Sequence, residues 1–516
     1  MKTLKHSLLI TAAIIGLNSC NNDDDNPTNT TPVDTSVNFQ FKNTINVGGE
    51  GSAEITAFDP STNKIFTVNT ESDQISVYNI SNIDAPVMET PIDVSGFGAP
   101  NSVAVHNGKL AIAVEAANKQ ASGKISVYNT SDNSLVNEYT VGSLPDMVTF
   151  TKDGNYILSA NEGEPNDDYT IDPDGTVSII DVASNTVTTL DFAAFNSQET
   201  TLESQGFRVF GPNTDLAADV EPEYITVSED SQYAWVSLQE NNGIAKINLV
   251  TKTIEAIYPL GFKDYSISGN SIDASDKDDV NELKNWPVYG MYQPDAITSV
   301  NINGTEYVIS ANEGDSREYE GTPGYVGEDR VKDVTLDETA FPASENYQDN
   351  EKIGRLKIAL DIGDTDGDGD YDKLYNYGAR SFSIWSADGA LLFDSGNEIS
   401  TRVLAETPNR FNWDWEDNET DKRSDDKGAE PESVEVLNIA NQRYILFVGL
   451  ERNSQVMVYD ITNPTAPQFL QFLQKGTDYA PEGILAVNAE DSPTGKALVI
   501  ISYEDSGTVS IYENEN

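Results

Sequence analysis

From residue 37 onward the chain is a succession of short runs in which apolar and polar residues alternate, each closed by a turn rich in Asn, Asp or Gly. Period-two alternation in Val, Ile, Tyr and Phe predicts β-strands rather than helices. One such phrase returns seven times, at 75–79, 125–129, 177–181, 244–248, 382–386, 456–460 and 509–513. A second apolar run precedes each copy, at 64–68, 109–114, 156–160, 233–238, 307–311, 444–450 and 497–503. A third run comes before that one and usually starts after a proline. Three recurrent strands and a more variable fourth, repeated seven times, predict an all-β chain folded as a seven-bladed β-propeller. No helical periodicity persists for twelve residues. The last repeat stops after its third strand, while an orphan run at 37–42 opens the domain. An N-terminal strand is therefore expected to complete the last blade and lock the ring, protecting edges that invite aggregation.

Loop lengths assign a face to function. If the strands are counted outward from the channel, the long connections 161–176, 196–221, 263–293, 312–380 and 401–430 all fall on one rim. Turns on the other rim are short, as at 131–134 and 152–155. Long loops on a rigid scaffold are where binding and catalysis concentrate.

The N-terminus has a different pattern. Lys2 and Lys5 precede an apolar run at 8–17, too short to span a bilayer, and then Leu17-Asn-Ser-Cys20. This reads as an export signal. Leu three places before the cysteine and Ser just before it resemble a bacterial lipobox, which makes Cys20 the lipidated residue. The expected organisation is a lipoprotein signal peptide at 1–19, an acylated Cys20 with a flexible acidic tether at 20–36, and the propeller at 37–516 with an insertion, 312–380, in blade five. The tether begins Asn21-Asn-Asp-Asp-Asp25 and continues rich in Pro and Thr, a composition that cannot bury a core. An acidic cluster directly after the lipid cysteine resembles the surface-export signal of Bacteroidetes-type lipoproteins. An outer-membrane lipoprotein exposed at the cell surface is expected; a plain spacer facing the periplasm is the alternative.

Composition narrows the chemistry. The 516 residues include 85 Asp and Glu against 31 Lys and Arg, a formal net charge of −54. Such a charge repels phosphate backbones and anionic headgroups, so nucleic acid is excluded and the membrane is met only through the lipid. One cysteine excludes a disulfide framework and a Cys-based zinc site. Two histidines, His6 and His106, leave little for His-ligated metals or a Ser–His–Asp engine. What remains is oxygen chemistry and the hard cations that suit it.

The acids have a pattern. Aligned starts of the first strands give Glu54, Asn101, Asp146, Glu223, Asp295, Glu432 and Glu482, and aligned ends of the second strands give Glu71, Glu115, Glu162, Glu240, Glu313, Glu451 and Glu504. Like charges this close are costly unless a cation binds or Arg and Asn neighbours absorb them. The alternative is that each Pro–acid pair caps a turn. Two blades carry a longer phrase, Ser159-Ala-Asn-Glu-Gly-Glu164 and Ser310-Ala-Asn-Glu-Gly-Asp315, the second continuing to Arg317. Its Asn and Glu oxygens, acid and Arg suit a metal with a phosphate or sulfate, or else a salt-bridged loop anchor. The sharpest motif is Asp364-Thr-Asp366-Gly-Asp368-Gly-Asp370-Tyr-Asp372, which follows EF-hand spacing through position nine but has Tyr375 at position twelve. Calcium is expected there, ordering the insertion, with Asp370 offering its backbone carbonyl; an unliganded acidic hairpin is the alternative. His106 falls in a turn on the opposite rim. Trp413 and Trp415 either stack on a sugar or pack their loop onto the propeller.

Several segments resemble the bacterial choice-of-anchor I family: 310–315, Gly378-Ala-Arg-Ser-Phe-Ser-Ile-Trp385, Lys427-Gly-Ala-Glu-Pro-Glu432 and Gly449-Leu-Glu-Arg452. The likeness spans roughly 39–513. It implies an exported propeller with a surface anchor, similar to the mesenchyme-specific cell-surface glycoproteins of calcifying animals. Bacterial members are often labelled alkaline phosphatase, yet this composition cannot build the Ser nucleophile and His-rich two-metal site of the classical enzymes. A phosphatase on this frame would have to resemble the calcium-dependent phytases.

Two readings follow. One is a monomeric calcium-binding propeller that captures a small anionic, mineral or glycan ligand through bound cations. The other is a calcium-dependent phosphoester hydrolase with Glu162, Glu313 and Arg317 in catalytic roles. In it Glu223, Asp295, Glu432 and Glu482 join them as metal ligands or base, and Arg380 or Arg452 binds phosphate. Glu54, Asp146, Glu451 and Arg452 complete the rim candidates. A weaker third reading is glycoside chemistry between paired carboxylates. The binding module is preferred because acids abound and no committed nucleophile is evident.

Overall fold

Strand patterning fixes the architecture. The computed structural model describes residues 34–516 except Asn213, Glu320 and Pro323; Cys20, the expected signal peptide and the acidic run after it lie outside the described residues. Among the described residues the main strands form seven antiparallel sheets. Their innermost strands are Thr56–Asp59, Pro100–His106, Pro145–Phe150, Pro222–Val227, Ile297–Ile302, Pro431–Ile439 and Pro481–Val487, numbered below as sheets one to seven. These strands pack against one another in cyclic order, that of sheet seven meeting that of sheet one. The repeated third strands are Gln74–Asn79, Ser122–Asn129, Thr176–Asp181, Gly243–Asn248, Ser381–Ser386, Gln455–Asp460 and Thr508–Asn514.

Each gap between neighbouring sheets holds its own apolar cluster. Phe66 and Val77 of sheet one meet Leu110 and Ile112 of sheet two, and Leu158 and Ile179 of sheet three meet Val236 and Ala245 of sheet four. Because both faces of the middle strands are covered, Lys64–Asn69 and Leu498–Tyr503 are buried along their whole length. Their small polar residues pair inside the sheet. Asn69, Asn161 and Asn312 donate to Ser76, Ser178 and Ser383 at 3.3, 3.0 and 2.8 Å.

Sheet seven is completed from the other end of the domain. Phe39–Asn46 pairs antiparallel with Thr508–Asn514, from Phe39↔Asn514 to Asn46↔Thr508 with a bulge between Phe41 and Asn43. Phe39 sets its ring edge-on to Phe447, centroids 5.3 Å apart.

The rim insertions build more than loops. Phe262–Asp264, Tyr289–Met291 and Tyr375–Asn376 form a small sheet, the last pair parallel. Tyr265, Val288, Val331, Phe341, Ile353, Leu356 and Leu374 make a satellite core beneath it. The connection read as a loop at 401–430 overlaps a nine-residue helix, Glu398–Glu406, which seats Ile399 and Val403 one turn apart against Phe411. It is the longest helix among the described residues, and none there is long and apolar enough to cross a membrane.

Candidate functional site

The turns that lead into the innermost strands set the rim. Leu144, Gln293, Glu430 and Ala480 each precede a proline and each sit at positive φ, between 42° and 57°. That region is unfavourable for a side-chain-bearing residue, and doubly so before proline. Of the aligned first-strand positions, Glu54, Asn101, Asp146, Asp295 and Glu482 share one cavity of about 390 Å³ at the channel mouth. Below it the channel widens to a second cavity of about 740 Å³ toward the other face. Met147 and Tyr224 line both and partition the channel.

Burial raises the proton affinity of these acids, and like charges on the rim add to it. Glu54 is pushed up to about 8, Asp146 to about 6 and Glu482 to about 7. Glu223, Asp295 and Glu432 rise well above the ordinary carboxylate range for the same reasons. Hydrogen bonding to Glu432 opposes the rise at Glu482, while Glu432 Oε2 is buried without a partner. Not every aligned acid is crowded in this way. Glu71 accepts from Ser52 Oγ at 2.6 Å and the Gly49 amide at 3.1 Å, which hold it below its usual range.

Two poles with opposite compensation flank the mouth. At sheet six, Glu430 is fully buried among cations: Arg423 at 2.8 Å, Arg452 at 3.3 Å and Lys427 at 3.5 Å. Burial opposes its ionisation, but Lys427, Arg423 and Arg452 outweigh that and hold it well below the carboxylate range. Lys427 also pairs with Glu313, which accepts from Gln239 Nε2 at 2.8 Å, and Arg452 meets Glu451 at 3.3 Å. At sheet four, one cation serves several acids. Arg317, 4 % exposed, donates Nε to Glu221 at 2.9 Å and its two Nη atoms to Asp219 Oδ1 and the Asp219 carbonyl at 3.0 and 2.7 Å. Its guanidinium also lies 4.5 Å from the Phe210 ring centroid. Each nitrogen of this group is engaged by the protein, so Arg317 positions Glu221. Arg380 is equally buried and donates to the carbonyls of Asp273, Ser424 and Asp426.

Two groups of rim acids bring one carboxylate oxygen from each member within 4.8 Å of the others: Glu162, Glu221 and Glu240, and Glu313, Glu432 and Glu451. The asparagines of the repeated Ser-Ala-Asn-Glu-Gly phrase are not ligands. Asn161 and Asn312 are fully buried, accept from Ser159 and Ser310, and pin the third strands, so only Glu162 and Glu313 of that phrase reach the rim groups. Sequence reasoning missed Asp219 and Glu221. A signal was present: sheets four and six both read Glu-Pro-Glu, at 221–223 and 430–432, where the other first strands start with one acid or, at Asn101, none.

The acidic loop lies elsewhere in the insertion. Asp364 accepts the Gly367 and Gly369 amides at 2.7 and 3.0 Å, and Asp372 accepts from Thr365. Asp364, Asp366 and Asp372 bring an oxygen each within 4.8 Å, as do Asp337, Asp370 and Asp372; Asp368 joins neither group. Asp337 arrives because Leu336 bridges to Tyr371 in parallel, a long-range partner that motif spacing does not show. The insertion's neck depends on glycine. A Cβ at Gly314, φ 88°, would stand 2.0 Å from the Gly378 nitrogen, and one at Gly378, φ 73°, 2.0 Å from the Glu313 carbonyl oxygen. Trp413 is buried under Arg410, and Trp415 stacks on Tyr479 with centroids 5.4 Å apart, so both pack the loop. His106 stacks on Phe150 on the opposite face, 5.7 Å between centroids.

Fold and rim together define an all-β propeller with an acid-rich mouth. The family model for the choice-of-anchor I domain matches residues 54–464, and the chain belongs to that family. Membership fits a surface-associated protein. Gigasin-3a of Magallana gigas is similar, 29% identical over 190 residues, which make up 32% of this chain and 66% of that protein. The chain thus spans just under two thirds of that relative's length. Kuenenia stuttgartiensis hydrazine synthase is similar in structure at a TM-score of 0.49 and 10% identity, covering 90% of this chain and 96% of that one. The Cps50 (Swd1) β-propeller domain of Myceliophteria thermophila gives 0.45 at 8% identity, covering 91% and 98%.

Proposed function

We propose that the protein is a surface-anchored calcium-binding propeller that captures a small anionic or glycan ligand at its acidic rim, held to the outer membrane by a lipid on Cys20. One observation carries the reading: Glu54, Asp146, Asp295 and Glu482 crowd one cavity with their proton affinities raised, which a bound divalent cation would relieve. Calcium held there presents free coordination positions to carboxylate, sulfate or phosphate oxygens arriving from solvent. A second ion belongs to the 364–372 loop, where Asp364, Asp366 and Asp372 gather their oxygens and Asp337 joins Asp370 and Asp372 in an adjoining group. Among the described residues Arg317, Arg380 and Arg452 each donate to protein acceptors, so the binding reading is preferred to phosphoester hydrolysis.

The test is retention on a sulfated-polysaccharide resin in calcium and in chelator. Calcium-dependent retention, with phosphomonoester turnover at background in both buffers, is expected. Equal retention in both buffers, or chelator-sensitive turnover, overturns the reading.

A further inference from the structure

The two rim groups differ in what already neutralises them. In the Glu313, Glu432 and Glu451 group, Lys427 and Arg452 contact two of the three acids directly. In the Glu162, Glu221 and Glu240 group the one carboxylate ion pair among the described residues is Arg317 on Glu221, and Arg317 is divided between Glu221 and Asp219. Glu240 is 6 % exposed, and its Oε2 is buried without a hydrogen-bond partner. A buried carboxylate oxygen with no donor costs more than almost any other polar defect, so an orphan of this kind calls for a missing partner. The backbone around it is firmly placed. Glu162 N–H donates to the Leu144 carbonyl at 2.9 Å, and the Glu240 carbonyl accepts from Arg208 Nη1 at 2.8 Å.

We infer that Glu162, Glu221 and Glu240 form a divalent-cation site with calcium as its ion, beside the channel-mouth cavity that Glu162 also lines and apart from the 364–372 loop. Oxygens on opposite sides of a calcium ion lie about 4.6–5.2 Å apart, twice the usual Ca–O distance of about 2.3–2.6 Å. Three oxygens mutually within 4.8 Å can therefore share one ion. The three carboxylates carry three negative charges, and half of Arg317's attention goes to Asp219, so a divalent ion leaves the group close to balance. Calcium takes about six to eight oxygens, and the remainder would come from the cavity of about 490 Å³ that Glu162 and Glu240 line. Arg423 and Lys427 line the same cavity, so basic groups share it with the acids. Glu221 is fixed by Arg317 while Glu240 keeps its free oxygen, so Arg317 orients the site without occupying it.

The inference deepens the cation reading of the rim and rests on it, so the experiment separates the two. Calcium is titrated calorimetrically into the parent, Glu240→Gln, Glu162→Gln and Asp364→Ala, with circular dichroism confirming the fold of each. Glu240→Gln and Glu162→Gln are nearly isosteric, and each is expected to lose the same single equivalent, while Asp364→Ala loses a different one. A parent that binds calcium and two rim variants that bind as many equivalents at unchanged affinity overturn this site and leave the rim reading standing. A parent that binds no calcium overturns both.

Discussion

Replacing Glu482 with glutamine removes one ionisable group from the mouth while keeping its shape and a donor for Glu432. Glu482 is pushed up from 4.5 to about 7, by burial first, against its hydrogen bond with Glu432, and then by Glu504, Glu313 and Asp146. One pKa unit is about 1.4 kcal/mol, so ionising Glu482 in the folded ring costs about 3 kcal/mol more than in the unfolded chain. The folded value lies above the unfolded one. Its contribution to stability is therefore complete below about pH 4.5 and is lost as the pH rises through 7. Unfolding entropy of about 2.1 cal/mol/K per residue over roughly 480 residues gives about 1 kcal/mol/K, so the penalty corresponds to about 3 °C in melting temperature. In chelator at pH 8.5, Glu482→Gln is expected to melt about 3 °C above the parent, and at pH 4.5 the two should coincide. Calcium should narrow the gap at pH 8.5 by stabilising the parent. A parent whose melting temperature is flat between these pH values in chelator, with no gain in the variant, refutes the electrostatic argument.

Other consequences are as direct. Arg317→Met strands Asp219 and Glu221 without their counter-charge and should cost about 3–5 kcal/mol, a melting temperature lower by several degrees; an unchanged melt contradicts the buried pairing. Gly378→Ala forces a Cβ onto the Glu313 carbonyl and should expose the 312–380 insertion to limited proteolysis while the sheets stay folded; parent-like digestion speaks against the neck. Removing residues before 47 deletes the strand that pairs with Thr508–Asn514, and aggregation on size exclusion is expected, whereas a monodisperse product would show that closure is dispensable.

The strand repeat was legible because period-two alternation survives in every third strand, from 75–79 to 509–513, and closure was legible because the last repeat lacks a fourth strand. Rim chemistry was only half legible. Aligned acids such as Asp146 and Glu482 follow a proline at a fixed place in the repeat, so spacing finds them. Arg317 meets Asp219 across 98 positions of chain, and Asp337 reaches the acidic loop through a bridge to Tyr371. Neither contact leaves a local pattern. The helix Glu398–Glu406 was hidden because its buried face is only Ile399, Ser400 and Val403, too short a stripe to register as periodicity. The Asn of the Ser-Ala-Asn-Glu-Gly phrase misled, since a ligand and a strand pin use the same amide.

The claim that the rim holds calcium is tested most directly by equilibrium dialysis of the parent protein against labelled calcium at pH 8 and pH 5. Protons and calcium compete for the same carboxylates, whose affinities for protons centre on about 6 to 8 at Asp146, Glu240, Glu482 and Glu54. Saturable binding of more than one equivalent at pH 8, most of it lost at pH 5, is the predicted result. No saturable binding at pH 8 would contradict it.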